Sequence, residues 1–308
     1  MKLHKNIENL NFKNPVATIG MFDGVHKGHM EIIKTLKKTA REIGGESVVI
    51  TFWPHPRMIF EGNNSVRLLT TMDEKASLME KSDIDHLVII PFNREFANLS
   101  YKKFVKNILV DKIKIKTIIV GYDHQFGKNR EGNFEKLLEL AKQYTFHVNK
   151  LDAQIVENEK VSSSLIREAL QQGNIENANG FLGYAYHFTG YVVEGKKKGR
   201  SIGYPTANLI LHEAYKLIPG KGVYAVKVKS GNNNYNGMMN IGYRPTIVED
   251  NKQKTIEVHI FDYNKDLYGK ELTVILDKKI RDEKKFDSID ELIQQLKKDE
   301  AEVRQYFS

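Results

Sequence analysis

Two hydrophobic rhythms divide the chain, and the change between them near residue 180 limits what it can fold into. Up to that point short β-rich runs, at 16–20, 47–52, 87–91, 117–121 and 146–149, alternate with longer amphipathic stretches. The stretch 27–43 carries Ile32, Ile33, Leu36 and Ala40 on one face, as a helix does. Strands alternating with helices predict a parallel sheet with helices packed on its faces. Such a sheet takes ligands outside the carboxyl ends of its strands, so unusual residues matter most there. Beyond the change, the segments 186–193, 222–229, 235–241, 255–261 and 271–276 are short and β-like, with turn signals at 231–234 and 264–269. Closely spaced strands without helices between them predict a small antiparallel barrel or sandwich. Helices are expected over 163–172 and after Ser288, where Ser288 and Glu291 form a capping box ahead of Ile289, Leu292, Ile293 and Leu296. The boundary is placed between 1–182 and 183–308.

Composition removes several classes. A chain of 308 residues suits two domains, at roughly 100–200 residues each. It has no cysteine, hence no disulfide framework, thiolate metal site or cysteine nucleophile. Residues 1–14 lack the apolar stretch of a secretory signal. The longest apolar runs, such as 87–90, are far shorter than the ~20 residues of a membrane helix. The expectation is a cytoplasmic protein with no membrane partner, as a monomer or weak homo-oligomer. A net charge of +8 suits nucleic acid and phosphorylated small molecules alike. The lysines are scattered in pairs, without the aromatic and basic platform of a single-strand binder. Nucleic acid is therefore not the expected partner.

The block ATIGMFDGVHKGH at 17–29 ends a strand, turns through two glycines and enters a helix. Gly20 and Gly24 allow a tight backbone that a ligand can approach. His26 and His29, three apart, share a face if both lie in the first helical turn. Free N–H groups at a helix start attract phosphate, and two imidazoles beside them can donate to phosphate oxygens as charge builds. Asp23 is placed to contact a substrate or cation. Zinc is a competing reading, but it would want histidines four apart with a third ligand. Two surface histidines beside a turn are the plain alternative, which the strand–turn–helix context outweighs.

Three later segments follow further strands. TFWPHPR (51–57) sets His55 and Arg57 in a loop made rigid by Pro54 and Pro56. GYDHQFGKNREG (121–132) offers Asp123, Phe126, Lys128 and Arg130, and VSSSLIREAL (161–170) opens a helix with Ser162, Ser163 and Ser164 and carries Arg167. Each alone has an ordinary explanation as a proline loop, a glycine turn or a serine cap. Together they put polar groups where an α/β site belongs.

In the second half, EGKKKGRSIGYPTANL (194–209) fails as a P-loop. Gly195 and Gly199 are separated by three residues, Arg200 replaces the lysine, and Pro205 forbids a continuing helix. A basic glycine loop can still face phosphates. Thr206 and Asn208 point to one side if extended, and their oxygens are hard donors suited to Mg²⁺. NIGYRPT (240–246) reads as a structural turn. In IEVHIFD (256–262), Glu257, His259 and Phe261 share a face against Ile256, Val258 and Ile260. Glu257 is a candidate base for a substrate hydroxyl, or simply a partner for a Lys or Arg.

GMFDGVHKGH resembles the GxFDGxHxGH signature of the bacterial bifunctional riboflavin kinase/FAD synthetases. TFWPHPR, VGYDHQFG and SSSLIR match further blocks of that family in order, and GRSIGYPTANL, KGVYAV, MNIGYRPT, IEVHIFDYNKDLYGKEL and IRDEKKFDSIDELIQQLKKD resemble its flavokinase module. The resemblance implies an HxGH nucleotidyltransferase domain of Rossmann-like α/β fold that adenylates FMN. It implies a six-stranded Greek-key barrel with a C-terminal helix that phosphorylates riboflavin. ATP with Mg²⁺ serves both steps, and flavins are substrates and products. Catalytic roles are implied for His26, His29, Arg167 and Glu257, with Mg²⁺ on Thr206 and Asn208. Nucleotide and flavin contacts are implied for Gly20, Phe22, Asp23, Gly24, His55, Arg57, Asp123, Ser163 and Ser164. In the barrel they are implied for Gly199, Arg200, Gly203, Pro205, Thr206 and Asn208. The chain departs from the pattern at His124 and Gln125, where an aromatic and a basic or small residue are usual. Ser164 stands for a threonine and Glu194 for a frequent histidine. His124 therefore puts the efficiency of adenylylation in question.

Overall fold

The continuous apolar runs of the first half become strands buried on both faces, the mark of a parallel sheet. The computed structural model describes every residue except 63–65, 122–123, 153–154, 157–158, 196–197 and 244–253. The chain divides into two units, Met1–Ser163 and Ser164–Ser308. The first runs β1 (Lys2–His4), β2 (Val16–Ile19), α1 (Lys27–Glu42), β3 (Ser47–Trp53), α2 (Pro56–Glu61), α3 (Met72–Lys81) and β4 (His86–Pro91). It continues with α4 (Arg94–Ala97), α5 (Tyr101–Phe104), a π-helical run Val105–Ile113, β5 (Thr117–Gly121) and a 3₁₀ turn Lys128–Arg130. It ends with α6 (Phe134–Tyr144), β6 (His147–Leu151) and the two-residue strands β7 (Ile155–Val156) and β8 (Glu159–Lys160).

The six strands order β1-β4-β3-β2-β5-β6, all parallel. Alternate residues feed two cores. Ala17, Ile19, Val48, Ile50, Ile118 and Val120 pack with the π-helical run and α6. Val16, Val49, Leu87 and Ile119 pack with Ile33, Leu36 and Ala40 of α1 and Met79 of α3. The strand order reverses at β2 and β5, which creates the crevice at the carboxyl edge where such sheets bind ligands.

The second unit holds α7 (Ser163–Gln172), α8 (Ile175–Leu182), β9 (His187–Val193), α9 (Lys198–Ser201), β10 (Ala207–Leu211) and β11 (Gly222–Ser230). β12 (Asn233–Tyr243), β13 (Lys254–Ile260), β14 (Glu271–Arg281) and α10 (Ile289–Phe307) complete it. The strands close into an antiparallel barrel, β10-β13-β12-β11-β14-β9. Closure removes every strand edge, which settles the choice between barrel and sandwich. Tyr224, Val226, Met239, Val258, Val274 and Leu276 are buried. α10 packs outside, where Val303 meets Ala225, Met238, Tyr204 and Phe261.

Several details differ from expectation. The strand Ala207–Leu211 was hidden behind a proline and a short apolar run. The expected box at Ser288 forms only in part. Its hydroxyl accepts from the Glu291 N–H at 3.2 Å. The Glu291 carboxylate accepts from the Asp287 N–H instead, at 3.3 Å. Among the described residues no helix is long and apolar enough to cross a membrane.

Candidate active sites

Between β2 and α1 the chain makes a tight turn in which Phe22 (φ 48°), Gly24 (φ 84°) and Val25 (φ 38°) are all left-handed. A β-branched residue rarely adopts such a φ, and strain of this kind collects at ligand sites. His26 does not enter the helix, as the spacing predicted, but caps it. Its Nδ1 accepts from the His29 N–H at 3.3 Å. The two rings stack, with centroids 3.6 Å apart and planes 17° apart, and Phe22 lies 5.0 Å from the His29 ring. Burial, then His26, then the Lys75 ammonium push the His29 pKa well below 6.5. Its Nδ1 is buried and has no hydrogen-bond partner among the described residues.

Lys75 escaped the sequence reading. α3 begins in a complete capping box between Thr71 and Glu74, and Lys75 on its inner face is only 2% exposed. Its Nζ donates to the Met21 carbonyl at 2.7 Å, holding the turn from below. Burial lowers its pKa to about 8, partly offset by Asp23. The available signal was its position four residues before the buried Met79. The Asp23 carboxylate turns inward and accepts from the Leu69 and Thr70 N–H groups at 3.0–3.1 Å and from the Thr70 hydroxyl at 3.3 Å. It anchors the neighbouring loop.

A cavity of about 510 Å³ opens at the strand reversal, lined by Gly20, Phe22, His26, Gly28, His29, Gly121, His124, Asp152, Ser162 and Ser163 among others. The Ser163 hydroxyl donates to the Asp23 carbonyl at 2.9 Å. Gly24, His55 and Arg57 do not line it. TFWPHPR is also not a plain loop: Pro56 starts α2, and His55 caps it by accepting from the Arg57 N–H at 3.2 Å. Asp123 lies outside the described residues. Ser164 and Arg167 fall in α7 within the second unit. Lys128 and Arg130 are exposed on their 3₁₀ turn. Among the described residues there is no group of three His, Cys, Asp or Glu that could hold a metal ion.

The barrel builds its site from register. Val223, Asn240, Glu257, Asn208 and Val193 lie opposite one another in β11, β12, β13, β10 and β9. Long-range pairing thus sets Glu257 between two asparagines, with Ile256, Val258 and Ile260 on the buried side as predicted. Asn240 was not singled out: 240–243 continue β12 instead of forming a turn, and 244–246 lie outside the described residues. Beside this row is a cavity of about 300 Å³ whose lining includes Gly199, Tyr204, Thr206, Met238, Asn240, Glu257, His259, Arg281, Phe286, Leu292 and Leu296. His259 Nδ1 lies 2.8 Å from the Pro205 carbonyl, so it carries the proton there and fixes the start of PTAN. Arg200, Gly203, Pro205 and Asn208 stand beside the cavity, not in its lining. Glycines bring the basic loop against PTAN. A Cβ on Gly195 would fall 2.1 Å from Asn208 Nδ2, and one on Gly199 would fall 2.1 Å from the Tyr204 carbonyl.

A helix-capping His-x-Gly-His turn at the reversal point of a parallel sheet, followed by a barrel with a carboxylate in a polar row, defines a two-domain enzyme class acting on phosphorylated ligands. The FAD synthetase family matches residues 9–165 and the riboflavin kinase family residues 182–307. A bifunctional riboflavin kinase/FMN adenylyltransferase of Buchnera aphidicola subsp. Schizaphis graminum is 39% identical over 100% of this chain and 99% of its own. One from Listeria monocytogenes is 39% identical over 96% and 93%. A crystal structure described as a macrolide-efflux protein from Streptococcus pneumoniae superposes with a TM-score of 0.89, at 33% identity over 98% of each chain. The chain belongs to the bifunctional riboflavin kinase/FMN adenylyltransferase family. It is an enzyme with both activities, the synthetase domain preceding the kinase domain.

Proposed function

We propose that the barrel cavity holds riboflavin and the γ-phosphate of ATP, with Glu257 as base. Glu257 takes the proton of the ribityl 5′-hydroxyl while the oxygen bonds to the γ-phosphorus and ADP leaves. The observation that carries this reading is the register row, in which a carboxylate lies between two amides on the wall of the barrel cavity. Thr206 and Asn208 fit a divalent cation. They offer a hydroxyl and an amide oxygen, both hard donors, two residues apart at the start of β10. Mg²⁺ bound there would neutralise charge on the ATP phosphates. The domain boundary we propose for kinase activity is 182/183, with 1–182 carrying adenylylation.

In the first unit FMN and ATP meet over the stacked histidines. A phosphate oxygen of FMN bonds to the α-phosphorus, the bond to the β-phosphate oxygen breaks, and pyrophosphate leaves. The unpartnered Nδ1 of neutral His29 supports its role toward a phosphate oxygen, as does the adjoining N-terminus of α1. His26 keeps Nδ1 for the cap and has Nε2 as its donor. Phe22, Gly20 and Ser163 shape the cavity, while Asp23, Gly24, His55 and Arg57 support the loops around it. Ser164, Arg167 and Asp123 keep the roles that family membership implies. Since each unit carries its own site and both consume ATP, we place the enzyme in the cytoplasm as a monomer or weak homo-oligomer. His29→Ala tests the assignment: FAD formation should be lost while FMN formation persists, and loss of both would refute separate sites.

A further inference from the structure

The kinase cavity is lined on one side by Arg281, the last residue of β14, and by two pieces that no strand pairing holds. These are the segment after β14, which contributes Glu283, Lys284 and Phe286, and the helix α10, which contributes Leu292 and Leu296. What joins them is a buried charge cluster. Asp299 of α10 is 2% exposed. It accepts from Arg281 Nε at 3.0 Å to both carboxylate oxygens, from Arg281 Nη2 at 2.8 Å and from Gln295 Nε2 at 2.8 Å. Arg281 then reaches into the segment: Nη1 donates to the Asp282 carbonyl at 3.0 Å, and the guanidinium lies 5.7 Å from the Phe286 ring centre. Burial and then Glu300, the next residue of α10, push the Tyr204 pKa up.

We infer that Asp299 is a positioning residue of the kinase site, which acts through Arg281, the last residue of β14, to hold the segment 282–286 against the cavity. Asp299 itself does not line the cavity, so it does not meet substrate. A bidentate guanidinium–carboxylate pair fixes direction as well as distance, and burial leaves the Asp299 carboxylate no substitute in water. The cavity wall it steadies is apolar, formed by Phe286, Leu292 and Leu296 with Met238, and it suits the ring system of the flavin acceptor. Glu257 lines the same cavity and serves the hydroxyl end. Loosening the segment should weaken capture of riboflavin while leaving ATP, the cation ligands and the base in place.

This inference rests on the kinase reading of the barrel, which the wild-type enzyme tests by making FMN at all. The experiment measures steady-state riboflavin phosphorylation by full-length Asp299→Asn and Asp299→Glu, with FMN adenylylation as the internal control. Loss of these charge-assisted bonds should raise the riboflavin KM of Asp299→Asn about tenfold or more, with the ATP KM changed less than about twofold. Asp299→Glu should recover much of the loss. Hydrogen exchange on the same proteins should speed up over 281–287 while β11 and β12 stay protected. An unchanged riboflavin KM in Asp299→Asn would overturn the inference. So would equal increases in exchange across β11, β12 and the segment, since the cluster would then hold the fold and not the wall.

Discussion

Burial, the His26 ring and the Lys75 ammonium keep His29 neutral at pH 7, so its ring has one N–H and one lone pair to offer. Replacing it by Ala should slow FAD formation by about 10²–10³-fold or more, the effect of losing one preorganised donor. FMN formation in the same sample should be unaffected, which chromatographic rates will show. The same burial has a stability consequence. The unfolded chain protonates its histidine near 6.5, whereas the folded site refuses the proton until well below that pH. Between those two values the unfolded state binds more protons, so the first unit loses stability as pH falls. Denaturant melts at pH 7.5 and 5.5 should show a larger acid loss in the wild type than in His29→Gln, and equal losses would contradict the assignment. In the barrel, Glu257→Gln should cut riboflavin phosphorylation by about 10²–10⁴-fold, in the range of general-base removal. Adenylylation of supplied FMN should continue.

At the scale of elements, the close approach of Gly195 to Asn208 gives a sharp test. Gly195→Ala puts a methyl where the amide lies, so kinase kcat/KM should fall at least about tenfold with the barrel still folded. The helices before the barrel give another. Asn179 of α8 donates to the Leu276 carbonyl at 2.9 Å and accepts from the Tyr186 N–H at 2.7 Å. The Gly220 N–H donates to the Leu170 carbonyl of α7 at 2.8 Å. A fragment 164–308 should therefore melt several degrees higher than 183–308, by roughly what a few buried hydrogen bonds contribute. Equal melting temperatures would show α7 and α8 to be dispensable. What sequence could read here was periodicity and local motif: the helix over 163–172, the alternation around Glu257 and the HxGH turn all follow from neighbours in the chain. Pairing across the barrel was beyond it, which is why Asn240 passed for a turn residue although register sets it against Glu257. The inward rotation of Asp23 depended on Leu69 and Thr70, and the burial of Lys75 on the turn at Met21, far from it in sequence. A motif gives residue types and order, but not which way a carboxylate turns.

For the whole molecule, each unit contains a cavity with its own polar groups, and the product of one chemistry is the substrate of the other. Neither chemistry needs a covalent intermediate, since both depend on positioning phosphates and stabilising their charge. That account makes the single-site variants separable: His29 variants stop at FMN, and Glu257 variants make FAD only when FMN is supplied. The most direct measurement incubates purified full-length protein with riboflavin, ATP and Mg²⁺ and separates the flavins over time. The account predicts FMN first and FAD after it. FMN that accumulates without any FAD would contradict the assignment of the first unit, and no conversion at all would contradict the account as a whole.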